Sequence, residues 1–367
     1  MQKYDIKILI EIIIDGNNKI MKGIIFILNI ILILVGQTLE IRPVRDDIGY
    51  CWTVECMDKL TKYIEPNYKI EQIDKTIIAG IAPHDDYLYA GEVYYPLFKN
   101  LKTKQAVLFG VTHKIVRDAI NDPNNVLILD EFSAWNGLQQ EIKISPLREY
   151  IKDHLEKSKF IISNKAHQLE HSIEAEIPFL NYFNKNVRIT PIMVTGMPYE
   201  KMNEIADELA RIIIDYIKEN KLELGKDIVF MISADANHYG KDFNNTPYGE
   251  DFAAHSKAIQ QDIDLVNNYL VNEVNEEKIK SLTEKLWGKT YKEYGNSYWC
   301  GKYSIPFGML TIIKVIRGVM QSNPNGRLLK FSDTYSEGAI PVKKIGCGTT
   351  APFSLKHWVS FFSIAYY

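Results

Sequence analysis

The 367-residue chain is poor in cysteine, in excess charge of either sign and in long uninterrupted apolar runs, and each scarcity excludes a class of protein. Four cysteines, at positions 51, 56, 300 and 347, are too few to staple a disulfide scaffold. Cys51 and Cys56 are close enough in sequence to pair in an exported protein, with two unpaired structural thiols as the equal alternative. With 43 basic against 46 acidic residues the net charge is -3, which gives no electrostatic footprint for nucleic acid. The apolar run GIIFILNIILILVG at 23 to 36 falls short of the ~20 residues of a comfortable membrane span. No internal repeat, low-complexity tract or Pro/Gly/Ser-rich linker divides residues 41 to 367, so that span is expected to be one domain.

Lys19 and Lys22 precede that apolar run, and the combination reads as the basic and hydrophobic regions of a secretory signal over 21 to 36, within a leader of residues 1 to 38. The expectation is an exported protein. A buried core segment in a cytoplasmic protein is the bland alternative, and an uncleaved anchor is the one route by which the chain would meet a membrane.

Hydrophobic residues make up 46% and charged residues 24%, an ordinary globular balance that can bury a large core. Short Ile- and Val-rich runs bounded by Gly, Pro, Asn or Asp predict strands at 76 to 83, 105 to 112, 124 to 131, 187 to 196 and 226 to 235. Met202, Ile205, Leu209, Ile212, Ile213 and Tyr216 recur at helical spacing, and further helices are predicted at 251 to 274, 276 to 287 and 306 to 319. The terminal WVSFFSIAYY reads as a late strand. Strands alternating with helices predict an α/β fold, a central mixed and largely parallel sheet flanked by helices.

The chain has 8 histidines, and three of them follow predicted strands: His84, His113 and His238. In open α/β sheets ligands bind beyond the carboxyl ends of the strands, so the three point to one metal or acid/base cleft. Cys300, in YWCGKYSIPFGML, precedes a predicted helix, where a thiol can ionise more easily and ligate a metal; alone it would be a buried thiol. His167, Glu170 and His171 fit H-x-x-E-H, a zinc-peptidase pattern, with Glu174 on the same helix face as His171. Five residues with three fixed positions arise often by chance, and a solvated helix start explains them equally.

The ordered segments PHDDYLYAG, LFGVTHK, LEHSIEAEIPFL, ITPIMVTG, MISADANHYG and WCGKYSIPFGML resemble the signature blocks of the Memo family, also called AmmeMemoRadiSam system protein B. IRPVRDDIGYCW near residue 41 is similar to its opening segment. The resemblance implies the fold of class III extradiol dioxygenases. It implies His84, His113 and Cys300 in the place of that fold's iron ligands, with Asp235 and His238 lining the same cleft as orienting acid and general acid/base. Sulfur in place of a carboxylate shifts the expected metal toward copper(I) or zinc, while the resemblance itself implies copper or iron. The implied activity is metal-dependent redox chemistry on a small molecule, or else non-catalytic binding of a metal, small-molecule or peptide ligand. Pro83-His84-Asp85-Asp86-Tyr87 departs from the family's Pro-His-Ala-Gly-Tyr, and Thr112 and Ala234 depart too. Asp86 is expected to keep a left-handed turn in place of glycine, and Asp85 and Asp86 to raise the His84 pKa and favour a cation. Tyr87, His171 and Glu174 complete the expected cleft lining.

Overall fold

The computed structural model describes residues 40–68 and 73–367; the expected leader, with its apolar run at 21 to 36, lies outside the described residues. Ile41–Tyr367 packs as one unit. In chain order its strands are β1 (Ile41–Arg42), β2 (Ala79–Ala82), β3 (Gln105–Gly110), β4 (Leu127–Leu129), β5 (Ala134–Trp135), β6 (Ile142–Lys143), β7 (Phe160–Ile162), β8 (Arg188–Val194), β9 (Ile228–Ser233), β10 (His238–Gly240), β11 (Asn272–Glu273), β12 (Asn325–Asp333) and β13 (His357–Tyr366). The α-helices are α1 (Val54–Asn67), α2 (Tyr87–Asn100), α3 (Lys114–Ala119), α4 (Pro146–His154), α5 (Asn164–Leu169), α6 (Ser172–Phe183), α7 (Tyr199–Glu219), α8 (Phe252–Tyr269), α9 (Glu276–Leu286) and α10 (Ser304–Met320). No helix among the described residues is long and apolar enough to cross a membrane.

The main sheet is ten-stranded and mixed, ordered β11-β12-β13-β2-β9-β3-β8-β4-β7, with β10 paired to β13. Its centre is parallel: β2 on β9, β9 on β3 and β3 on β8. The flanks turn antiparallel, at β13 on β2 and β12 on β13 on one side and at β4 on β8 on the other. Burial on both faces explains the near-continuous apolar strands. Val107 and Phe109 of β3 join one apolar cluster, while Ala106 and Leu108 join the other. The first cluster includes the predicted helical stripe, Met202, Ile205, Leu209, Ile212, Ile213 and Tyr216, all buried on α7. The second includes Tyr87, Tyr94 and Phe179 from α2 and α6.

Gly110, at the end of β3, allows the start of α6 to approach closely: a Cβ there would lie 2.4 Å from Ile173 Cγ1. That approach brings Ser172 and His171 beside the β3 exit, where Val111 N donates to Ser172 Oγ at 3.0 Å. Arg42 holds the same corner from β1. Its guanidinium donates to the carbonyls of His167 and Glu170, each at 2.7 Å, lies 4.3 Å over the Trp135 ring, and pairs with the Glu174 carboxylate. Glu174 also accepts from the backbone of Asp46 at 2.8 Å and of Arg45 at about 3 Å. Both members of the pair are buried. Glu174 is therefore a tie for the 42–46 segment, not the expected cleft residue. His171 stands before α6 and its ring turns onto His113, while Glu174 in the first turn of the helix reaches Arg42.

Removing one partner of a buried ion pair leaves an uncompensated charge in the interior. Glu174→Ala is expected to lower unfolding free energy by about 3–5 kcal/mol in urea titrations, whereas Glu174→Gln, which keeps an acceptor, is expected to cost less. Equal and small losses in both variants would refute this assignment.

Candidate metal centre and its cleft

The sheet order sets the site. β2, β9 and β3 are neighbours and run in the same direction, so the residues beyond their carboxyl ends emerge side by side. His84 leaves β2, Asp235 and His238 leave β9, and His113 leaves β3 as the residue capping α3. Ligand atoms of His84, His113 and Cys300 all lie within 4.8 Å of one another, as do those of Asp235, His238 and Cys300. His84, His113 and Cys300 thus lie together, with Asp235 and His238 beside Cys300.

His84 and His113 at the floor are each oriented through one nitrogen. His84 Nδ1 is 3.1 Å from Ser233 Oγ, which in turn donates to the Ser172 carbonyl at 2.7 Å. Its Nε2 then faces Cys300 Sγ at 3.3 Å and Asp235 Oδ2 at 3.3 Å. His113 Nδ1 lies 2.7 Å from Glu170 Oε1, and its backbone N–H donates to the other Glu170 oxygen at 2.9 Å. His171 stacks on His113 at 4.6 Å between ring centroids. A carboxylate or hydroxyl on one imidazole nitrogen is the usual support for a ligand that binds metal through the other.

The protonation states follow from burial. Desolvation pushes the His84 pKa well below its usual value, and repulsion from His113 and His171 adds to it. The same causes bring His171 down to about 3, and burial with His113 brings His238 to about 4. These rings are neutral near pH 7, the form that ligates metal. Burial also disfavours charge on His113 and Glu170, but their mutual attraction prevails, raising the histidine and lowering the glutamate. The Cys300 thiol is pushed well up by burial and by Asp235, and burial brings Asp235 up to about 7. A cation among them would reverse both, favouring thiolate and carboxylate. Two imidazoles with oriented, available nitrogens and a buried thiol fit a transition-metal ion.

Several expectations need correction. Asp235 does not orient His238: its carboxylate accepts from the His84 backbone at 2.9 Å, while His238 Nδ1 lies 3.4 Å from the Ala236 carbonyl and its ring meets Phe243. The His84 pKa is lowered, not raised: desolvation and the neighbouring imidazoles prevail over the opposing charge of Glu170. Asp86 has φ -50° and ψ 137°, with no left-handed turn. It stands at the N-cap position of α2 and its carboxylate accepts from Thr350 N and Oγ1, and both it and Asp85 line the cleft. Tyr87 is core: its hydroxyl donates to the Ala175 carbonyl at 2.6 Å and its ring meets Phe179. Cys300 precedes α10 by a turn, and burial overrides the expected easing of ionisation.

The H-x-x-E-H pattern breaks between α5 and α6. His167 is buried with Nε2 3.1 Å from the Ile128 carbonyl, and Glu170 serves His113, so no two-histidine zinc site forms on one helix. Glu170 is the supporting carboxylate that sequence reading assigned elsewhere. The cleft, about 370 Å³, has walls that sequence reading missed: Tyr50, Tyr89, Phe243, Phe353, His357 and Val359.

Asp262, on α8, fixes the loop that carries Cys300. It accepts from Trp299 Nε1 at 2.8 Å and Ser297 Oγ at 2.7 Å, and from Ser360 Oγ at 2.9 Å. Burial raises its pKa to about 6 against these donors. A folded value above the unfolded one means that the native state holds this proton more tightly. The group's stabilising contribution is full below the unfolded value near pH 4 and is lost as pH rises through about 6. Asp262→Asn lacks this titration, so its stability relative to wild type should rise by about 3 kcal/mol from pH 4 to pH 7 in paired urea titrations. A pH-independent difference would contradict it.

A family profile described as "Memo-like protein" matches residues 53–339. A MEMO1 family protein of Thermococcus kodakarensis is 31% identical over 187 residues, covering 48% of this chain and 57% of that protein. One of Metallosphaera sedula is 31% identical over 167 residues, covering 43% and 52%. One of Sulfurisphaera tokodaii is 28% identical over 240 residues, covering 60% and 77%. The chain spans little more than half the length of the first two.

Proposed function

The chain belongs to the Memo-like protein family, and from that premise we propose that its cleft holds copper or iron on His84, His113 and Cys300 and uses it in redox chemistry. The observation that carries this reading is the meeting of two supported imidazoles and a buried thiol within 4.8 Å at the ends of adjacent parallel strands. A thiol and two imidazoles favour copper, and also suit iron or zinc. A bound copper or iron ion supplies electron transfer and open positions for a ligand. The chain's own part is definable without it. Ser233 and Glu170 hold the two rings, Asp235 stands beside His84 as a carboxyl that can take up or release a proton, and the aromatic wall keeps water from a small-molecule or peptide ligand. Export through residues 21 to 36 belongs to the same reading, supported by the basic flank of that run and by the Cys51–Cys56 disulfide, which requires a disulfide-permissive compartment.

A second reading, metal or ligand binding without turnover, draws on His238, which among the described residues is oriented by the Ala236 carbonyl and by no carboxylate. Oxygen uptake with catechol-like and ascorbate-like reductants separates the two, since turnover belongs to the first alone. For both, elemental analysis of the purified protein should find bound metal. His84→Ala should lower metal affinity at least tenfold, and Glu170→Gln should lower it by about 10–100-fold through loss of ring orientation. Unchanged loading of His84→Ala would overturn the assignment.

A further inference from the structure

Three of the four cysteines form a second sulfur cluster, away from the floor of the cleft. Cys51 and Cys56 are disulfide-bonded at the entry to α1, and the free thiol of Cys347 lies with its Sγ 3.7 Å from Cys51 Sγ. A turn at Gly346, whose φ of +108° suits glycine alone, brings Cys347 over the bond. The backbone of Gly348 then donates to the Ile48 carbonyl at 2.7 Å, aligning the two segments. Both segments build the cleft. Next to Cys51, Tyr50 lines it and donates to the His84 carbonyl at 2.7 Å. Three residues after Cys347, Thr350 binds Asp86, and Ala351, Pro352 and Phe353 form the wall.

We propose that Cys347 and the Cys51–Cys56 disulfide are a thiol–disulfide exchange site that latches the cleft wall. In the exchange, the Cys347 thiolate forms a bond to Cys51 Sγ and the Cys51–Cys56 bond breaks. The electron pair leaves on Cys56 Sγ, which takes up through solvent the proton that Cys347 gave up. One disulfide and one thiol stand on each side, so no external oxidant or reductant is needed. In the first state Cys51 is tied to the start of α1, and the 346–353 wall is held by hydrogen bonds alone. In the second the wall is bonded covalently to the segment that supports His84. Burial, with Asp86 nearby, pushes the Cys347 thiol up to about 12, so little thiolate is present near neutral pH and the exchange is slow.

The test is alkylation of the unreduced, full-length protein with iodoacetamide after incubation at mildly alkaline pH, followed by peptide mapping. The label's mass shift is expected on Cys347 in some chains and on Cys56 in others, and on Cys51 in none. Cys347→Ser should abolish labelling of Cys56. Cys56→Ser equilibrated with oxidised glutathione should yield a Cys51–Cys347 bridge, with slower hydrogen exchange over residues 348 to 353 than in the same variant reduced. Label on Cys347 alone in wild type at every incubation time would overturn the proposal, as would protein that purifies with all three thiols reduced and holding a metal. The wild-type measurement decides the matter even if Cys56→Ser does not fold. It is also independent of metal loading at His84, His113 and Cys300, so failure here leaves the proposed function standing.

Discussion

Everything at the floor of the cleft depends on one constraint, the parallel pairing of β2, β9 and β3. Neighbouring strands lie about 4.8 Å apart, so residues just past three aligned ends share a small region of space whatever their separation in sequence. His84, Asp235 and His113 are such residues. Side-chain chemistry then refines what the backbone has assembled. Ser233 and Glu170 turn the two rings, Arg42 secures the α5–α6 break that carries Glu170 and His171, and Asp262 secures the loop that carries Cys300. A supporting residue in this fold can therefore matter to the site while touching no ligand.

Burial sets the electrostatics, and it acts on every floor residue in the same sense, against charge. This explains why the histidines are lowered while Asp235 and Cys300 are raised. His113 and Glu170 escape because they face each other. It also explains how the unusual Asp85-Asp86 pair coexists with His84. Asp86 turns to Thr350 and becomes a strut of the wall, and burial with repulsion from Asp235 and Asp86 pushes Asp85 toward its neutral acid. Two acids beside a histidine are thus less negative than their formal charge.

The strands and the histidines past three of their ends were legible in the sequence because both signals are local: apolar runs bounded by turn residues, three of them followed by a histidine. The mixed character of the sheet was legible in outline, though the order that brings β13 and β12 beside β2 was not, since antiparallel addition at an edge leaves no mark in either strand. Glu174 and Tyr87 were misread for a shared reason. Both stand in the first turn of a helix just after site residues, and their side chains turn to Arg42 and to the Ala175 carbonyl instead. Glu170 was visible as a residue type, and its partner His113 was 57 positions away, beyond any periodicity. Asp86 illustrates the limit of reasoning from a replaced glycine, since the backbone there needs no positive φ.

The walls follow a different logic from the floor. They come mainly from two loops near opposite ends of the described chain, around Tyr50 and around Phe353, with Phe243 just after β10 and His357 at the start of β13. Loops of this kind vary while a sheet stays constant, because they carry few of the core's packing constraints. The floor therefore carries the candidate metal-binding groups, and the wall shapes the space in front of them. In this chain the wall is also where three cysteines gather, so the part of the cleft least determined by the fold has sulfur chemistry of its own to set its position.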